Sequence, residues 1–150
     1  MESGVIKMKP IYLLDTDIVF EMMKRSANEA LLERIANNKD FCVISAFTWY
    51  ECLSAVNDIE NEALQNKFNS FLIDSVQKYF EIIPFDVHAA SIQADIENKL
   101  KNNPKAKKIK QIVLQNAALA IANNLILVST NESLFEEIKS ISLLNIENWA

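Results

Sequence analysis

The chain has 150 residues, half of them hydrophobic and 23% charged, with a formal net charge of −5. One domain spanning residues 1–150 with a substantial core is expected, and bulk disorder is excluded. The only glycine is Gly4, which excludes glycine-rich phosphate loops of the Walker and GxGxxG kinds, and the acidic balance leaves nucleic-acid binding to a local patch.

Residues 1–10 carry no secretory signal, so a cytoplasmic protein is expected. The run Ile11-Tyr12-Leu13-Leu14 predicts a buried strand ending at Asp15, and residues 18–25 and 27–37 predict two short helices. Residues 41–44 predict a second strand, after which Ser45 N-caps a helix reaching about Val56. Cys42 and Cys52 lie in these apolar segments and read as reduced core residues. Between Glu60 and Phe80 the apolar positions Leu64, Phe68, Phe71, Leu72, Val76 and Tyr79 mostly step by three and four, which predicts one long amphipathic helix. Ile82, Ile83 and Phe85 predict a third short strand around Pro84.

The next helix carries Ala89, Ile92, Ile96 and Leu100 and ends at Asn102-Asn103-Pro104, because proline lacks an amide donor and disfavours helix before it. His88, the single histidine, sits near the start of that helix and reads as structural or solvent-facing; a lone histidine excludes His-rich zinc sites. A lysine-rich loop follows, then a helix from about Ile109 to Ala122, a strand over residues 125–128, a short helix over 132–138 and a last strand over 143–146. Residues 111–131 carry no charge, but Gln115-Asn116 and Asn123-Asn124 divide them into pieces shorter than the ~20 apolar residues of a membrane span. Strands alternating with helices give an α/β fold, a three-layer α/β/α sandwich with a mainly parallel sheet.

In an open parallel sheet, ligands bind beyond the carboxyl ends of the strands, and three polar groups fall there. The first is Asp15-Thr16-Asp17, an acidic pair after a buried strand, suited either to a hard cation or to capping the next helix. The second is Glu51, the only charged residue between Phe41 and Asn57. Burying it in such a helix costs several kcal/mol unless it is paired or metal-bound; otherwise it faces solvent. The third is Ser129-Thr130-Asn131, which also reads as a helix cap. Lys101, Lys105, Lys107, Lys108 and Lys110 form either a solvated loop or a phosphate-tracking patch.

In order and spacing these segments resemble the PIN-domain family, and within it the VapC-type toxin nucleases. The resemblance runs through Tyr12-Leu-Leu-Asp-Thr-Asp-Ile18, Ile44-Ser-Ala-Phe-Thr-Trp-Tyr-Glu-Cys-Leu53, Ala118-Leu-Ala-Ile-Ala-Asn-Asn-Leu-Ile-Leu-Val-Ser-Thr-Asn131 with Phe135, and Ile146-Glu-Asn-Trp149. It implies Mg²⁺- or Mn²⁺-dependent cleavage of RNA, a small antitoxin partner and a homodimer. By position, Asp15 and Glu51 would be catalytic and metal-binding, with Asn131 as a further ligand. Thr16, Asp17, Asn116, Ser129 and Thr130 would support them, and Lys105, Lys107, Lys108 and Lys110 would bind RNA. At the family's third acidic position this chain has Val113, which cannot ligate a metal, and Asn116 lies one helical turn away on the same face. The turn in which the family commonly has glycine is Asn123-Asn124 here, and asparagine tolerates a left-handed backbone.

Two alternatives follow. The first is a degenerate PIN domain that binds RNA or a protein without cleaving. The second is a phosphatase, because Asp15-Thr-Asp-Ile-Val19 also resembles the opening motif of the haloacid-dehalogenase-like family.

Overall fold

The computed structural model describes residues 8–150; Gly4 lies outside the described residues. Five strands, β1 (Tyr12–Leu14), β2 (Cys42–Ser45), β3 (Glu81–Ile83), β4 (Ile126–Val128) and β5 (Asn145–Glu147), form one sheet in the order β3-β2-β1-β4-β5, and every pairing is parallel. In register, Tyr12 stands beside both Cys42 and Ile126, and Leu13 beside Val43 and Leu127.

Side chains alternate across a strand, so each strand supplies both faces of the sheet. Leu13, Val43 and Leu127 join one apolar layer with α5 (Val87–Leu100), α6 (Gln111–Ala122) and Ile138 of α7 (Glu136–Lys139). Leu14, Ile44 and Val128 join the other layer with α1 (Thr16–Met23), α2 (Glu29–Asn38) and α3 (Ala46–Asn57), together with Leu72 and Val76 beyond α4 (Glu62–Phe71). The α/β/α sandwich read from the sequence is therefore present, and continuous apolar runs are what strands buried on both faces require.

Several boundaries differ from the expected ones. Residues 39–41 form a 3₁₀ turn, so β2 begins at Cys42 and extends through Ser45, which both ends the strand and caps α3. The long helix begins after its cap Asn61 and passes through a π-helical stretch, Leu72–Gln77, that the three-and-four spacing does not distinguish from α-helix. Phe85 lies outside β3 and instead meets Phe47 edge-on, with ring centroids 5.3 Å apart. The lysine-rich loop holds a 3₁₀ turn, Pro104–Lys108, and α6 starts at Gln111 because Ile109 and Lys110 are extended. The helix expected over 132–138 is a 3₁₀ turn, Glu132–Phe135, followed by α7, and the last strand lies further along the chain at Asn145–Glu147, leaving Leu143 outside it and 90% exposed.

Asn124, between α6 and β4, has φ 53°, the left-handed value for which glycine is the common choice and asparagine a tolerated one. Cys42 and Cys52 are buried free thiols, both pushed up to about 12 by burial, Cys52 with help from Glu51. No helix among the described residues is long and apolar enough to cross a membrane, and His88 is exposed.

Candidate active site

The chain runs from β1 to β2 to β3 on one side of the sheet and then returns to place β4 on the other side of β1. The crevice of such a sheet lies where the strand order reverses, between β1 and β4. Asp15 follows β1 there, and its amide donates to the Val128 carbonyl at 2.9 Å. Asp15 is also the N-cap of α1, its Oδ1 accepting from the Thr16 amide at 3.0 Å. The same oxygen accepts from Asn116 Nδ2 at 2.9 Å. Asn116 is fully buried on α6, which lies in the opposite helical layer from α1.

Thr16 links the two expected acids. Its hydroxyl donates to Glu51 Oε1 at 2.7 Å and stands 3.0 Å from Thr48 Oγ1. Ser45 caps α3 by accepting from the Thr48 amide at 3.0 Å, and its hydroxyl donates to Thr48 Oγ1 at 3.2 Å. Asn116 Nδ2 also reaches Thr48 Oγ1, at 3.3 Å. A hydroxyl has one proton, and the Thr16 proton goes to Glu51, so the Thr48 proton goes to Thr16. Ser45, Thr48 and Thr16 then form a directed chain whose last acceptor is the Glu51 carboxylate.

Thr48 is the residue that the sequence reading missed. It is fully buried and touches Ser45, Thr16 and Asn116. One signal for it was present: Ser45, Thr48 and Glu51 succeed one another at three-residue steps, which puts them along one side of α3.

A second group lies beside the first. Asp17 Oδ2 accepts from the Thr130 amide at 2.8 Å, from the Thr130 hydroxyl, and from Ser129 Oγ at 3.4 Å. These bonds tie the first turn of α1 to the loop after β4. Ser129 Oγ in turn accepts from the Asn131 amide at 3.1 Å. The Asn131 side chain is exposed, and among the described residues no side-chain hydrogen bond joins it to either group. Lys105, Lys108 and Lys110 line a cavity together with Val113, whereas Lys107 is exposed and does not line it.

Burial, and next the neighbouring Asp17 charge, push Asp15 up to about 6. Hydrogen bonds from Asn116, the Thr16 amide and Ser129 act in the opposite direction. Among the described residues no lysine or arginine is ion-paired with Asp15, Asp17 or Glu51. Nor does any set of three or more His, Cys, Asp or Glu residues among them stand close enough to share one ion. Thr16 bonds both Asp15 and Glu51, Asn116 bonds Asp15 and keeps a buried Oδ1 without a hydrogen-bond partner, and Asp17 keeps another such Oδ1 in the second group. These are hard oxygen donors, the type taken by a Mg²⁺-like cation, which often uses only one or two carboxylates and water for the rest. Val113, in the first turn of α6, is apolar and 8% exposed and adds no acid to Asp15 and Glu51.

The family model for the PIN domain matches residues 12–141. No match was found among curated proteins. Among solved structures, FitAcB from Neisseria gonorrhoeae matches at 24% identity and a TM-score of 0.80, over 92% of this chain and 97% of that one. VapBC2 from Rickettsia felis, solved bound to a DNA fragment from its promoter, matches at 23% identity and a TM-score of 0.76, over 93% and 99% of the two chains. VapBC-5 from Mycobacterium tuberculosis, a member of the VapBC family of toxin-antitoxin systems, matches at 18% identity and a TM-score of 0.63, over 93% and 98%. At these identities the likeness shows the fold.

Proposed function

The chain belongs to the PIN-domain family, and from that premise we propose that it is a metal-dependent endoribonuclease of the VapC toxin type, held silent by a small antitoxin. The observation that carries this reading is the meeting of Asp15 and Glu51 at Thr16, which joins two carboxylates from separate elements at the crevice of the sheet. Asp15 and Glu51 would hold a single Mg²⁺ or Mn²⁺, with the Asn116 amide oxygen as a supporting donor. The cation, when bound, lowers the pKa of a water and stabilises charge on the scissile phosphate. Asp15 is suited to it because burial and Asp17 both oppose its negative charge, and a cation relieves both. The hydroxyl chain from Ser45 to Glu51 holds the second carboxylate in one orientation, and Asp17 fixes the loop after β4 through Ser129 and Thr130.

The antitoxin partner is drawn from the toxin-antitoxin system of the M. tuberculosis structure, which shares the fold. A homodimer and a cytoplasmic location belong to the same reading. Asn131, exposed on the loop after β4, would be a further ligand in this reading.

A second reading has one observation in its favour. Val113 stands where the family has an acid, so a domain that binds RNA or a protein and does not cleave is the alternative. The phosphatase resemblance rests on five residues, against a family match over residues 12–141.

Purified protein incubated with single-stranded RNA and Mn²⁺ separates the two PIN readings. Cleavage that Asp15→Ala and Glu51→Gln each reduce at least a hundredfold supports the nuclease. RNA binding without cleavage in the unaltered chain supports the binding module, and equal cleavage by chain and variants points to a contaminating enzyme.

A further inference from the structure

Val113 lines a cavity of about 360 Å³, within the size range of small-ligand pockets. Its walls come from the 3₁₀ turn after α5, the start of α6, and the segment leading into α7. Ile109, Val113 and Leu134 give it an apolar lining, and Leu134 is 49% exposed. Lys105, Lys108 and Lys110 edge it, all exposed and, among the described residues, in no ion pair. Glu137 also lines it, but its Oε2 accepts from Asn103 Nδ2 at 2.7 Å, which ties that carboxylate to the loop before the turn. Three cations against one engaged carboxylate make this the basic corner of an acidic chain.

Val113 precedes Asn116 by three residues on α6, about 4.5 Å along the helix axis. Asn116 is bonded to Asp15. Val113 therefore lines the cavity one helical turn before the residue that bonds Asp15.

We infer that this cavity is a nucleotide subsite for single-stranded RNA, with a base against Val113 and Leu134 and its phosphates on Lys105, Lys108 and Lys110. The inference rests on the nuclease reading for the meaning of the neighbouring site, but not for its chemistry. The lysines would pair with backbone phosphates, and the aliphatic wall would take the face of a base out of water without an aromatic ring to stack on. Valine leaves this wall uncharged, whereas a carboxylate at position 113 would repel phosphate.

Fluorescence anisotropy with labelled single-stranded RNA in EDTA reads binding while any metal-dependent cleavage is silent. The Lys105→Glu/Lys108→Glu variant should bind at least tenfold more weakly, with a shallower dependence on salt. Leu134→Ser should weaken binding severalfold and narrow the spread of affinities among homopolymers of the four bases. Lys67→Glu/Lys78→Glu, the same charge change on the opposite helical layer, should stay within about twofold of the unaltered chain. Equal loss in that control, or unaltered binding in both cavity variants, overturns the subsite. So does displacement of a poly-glutamate peptide rather than RNA, which would give the cavity to an acidic protein segment. A chain that binds RNA through these lysines and cleaves none keeps the subsite and refutes the nuclease; cleavage with cavity variants that bind normally does the reverse.

Discussion

Asn116 and Asp15 stand 101 positions apart and share a hydrogen bond, Nδ2 to Oδ1 at 2.9 Å. The amide therefore supplies a donor to a carboxylate whose surroundings otherwise oppose its charge. Asn116→Ala removes that donor, so Asp15 should titrate higher still and hold Mn²⁺ severalfold more weakly near pH 6.5. Stability should fall by about 1–3 kcal/mol, the usual cost of stranding a buried hydrogen-bonding group. Asn116→Asp acts in the opposite sense on the metal. It sets one carboxylate against another, which weakens the metal-free fold at pH 7 and makes Mn²⁺ more stabilising than in the unaltered chain. Calorimetric titration with Mn²⁺ and thermal melts with and without the ion read both effects. An Asn116→Ala variant with unchanged Mn²⁺ affinity would exclude the amide from the metal site.

The pH dependence of the metal-free protein follows from Asp15. Its carboxyl is raised from 3.8 to about 6 in the fold. Below pH 3.8 it is protonated in both folded and unfolded chains and costs nothing. Between pH 3.8 and 6 the unfolded chain loses this proton while the folded one keeps it, so stability falls as pH rises. Above pH 6 the full penalty stands, about 3 kcal/mol for a shift of this size. In EDTA, Asp15→Asn should therefore melt higher than the unaltered chain at pH 7, match it near pH 4, and show a flatter profile between. A variant that melts lower at pH 7 would mean that Asp15 is ionised in the fold without strain.

The strands were legible in the sequence, and Asp15 and Glu51 stood out as candidate acids, for one reason. A sheet covered on both faces leaves uninterrupted apolar runs, and against such runs Asp15 and Glu51 are conspicuous. Asn116 was legible through helical spacing from Val113. Thr48 was not, because its partners Thr16 and Asn116 lie 32 and 68 positions away and meet it only once α1, α3 and α6 have packed. A threonine three residues after a capping serine otherwise looks like ordinary helix. The π-helical stretch was equally hidden, since steps of three and four fit a helix whether or not one turn is widened. The lysine-edged cavity needed the fold as well: Leu134 and Glu137 reach it from a segment more than twenty residues beyond the lysines.

Val113 is the position at which the two readings of this protein part, and it can be tested in the direction of gain. It occupies the third residue of α6, whose N-cap Lys110 makes no side-chain capping bond. Unpaired amides at a helix start favour a negative side chain by about 0.3–1 kcal/mol, which offsets part of the cost of placing a carboxylate where valine is 8% exposed. Val113→Asp should thus fold, with metal-free stability lower by about 1–2 kcal/mol. If α6 faces the ion held by Asp15 and Glu51, the added carboxylate raises Mn²⁺ affinity tenfold or more and raises cleavage with it. The same variant should bind RNA more weakly in EDTA, because the new charge faces the phosphates gathered by Lys105, Lys108 and Lys110. Tighter metal with weaker metal-free RNA binding is the paired outcome to look for. Unchanged Mn²⁺ affinity in a folded Val113→Asp protein would place the first turn of α6 outside the metal site and leave Asp15 and Glu51 as its only acids.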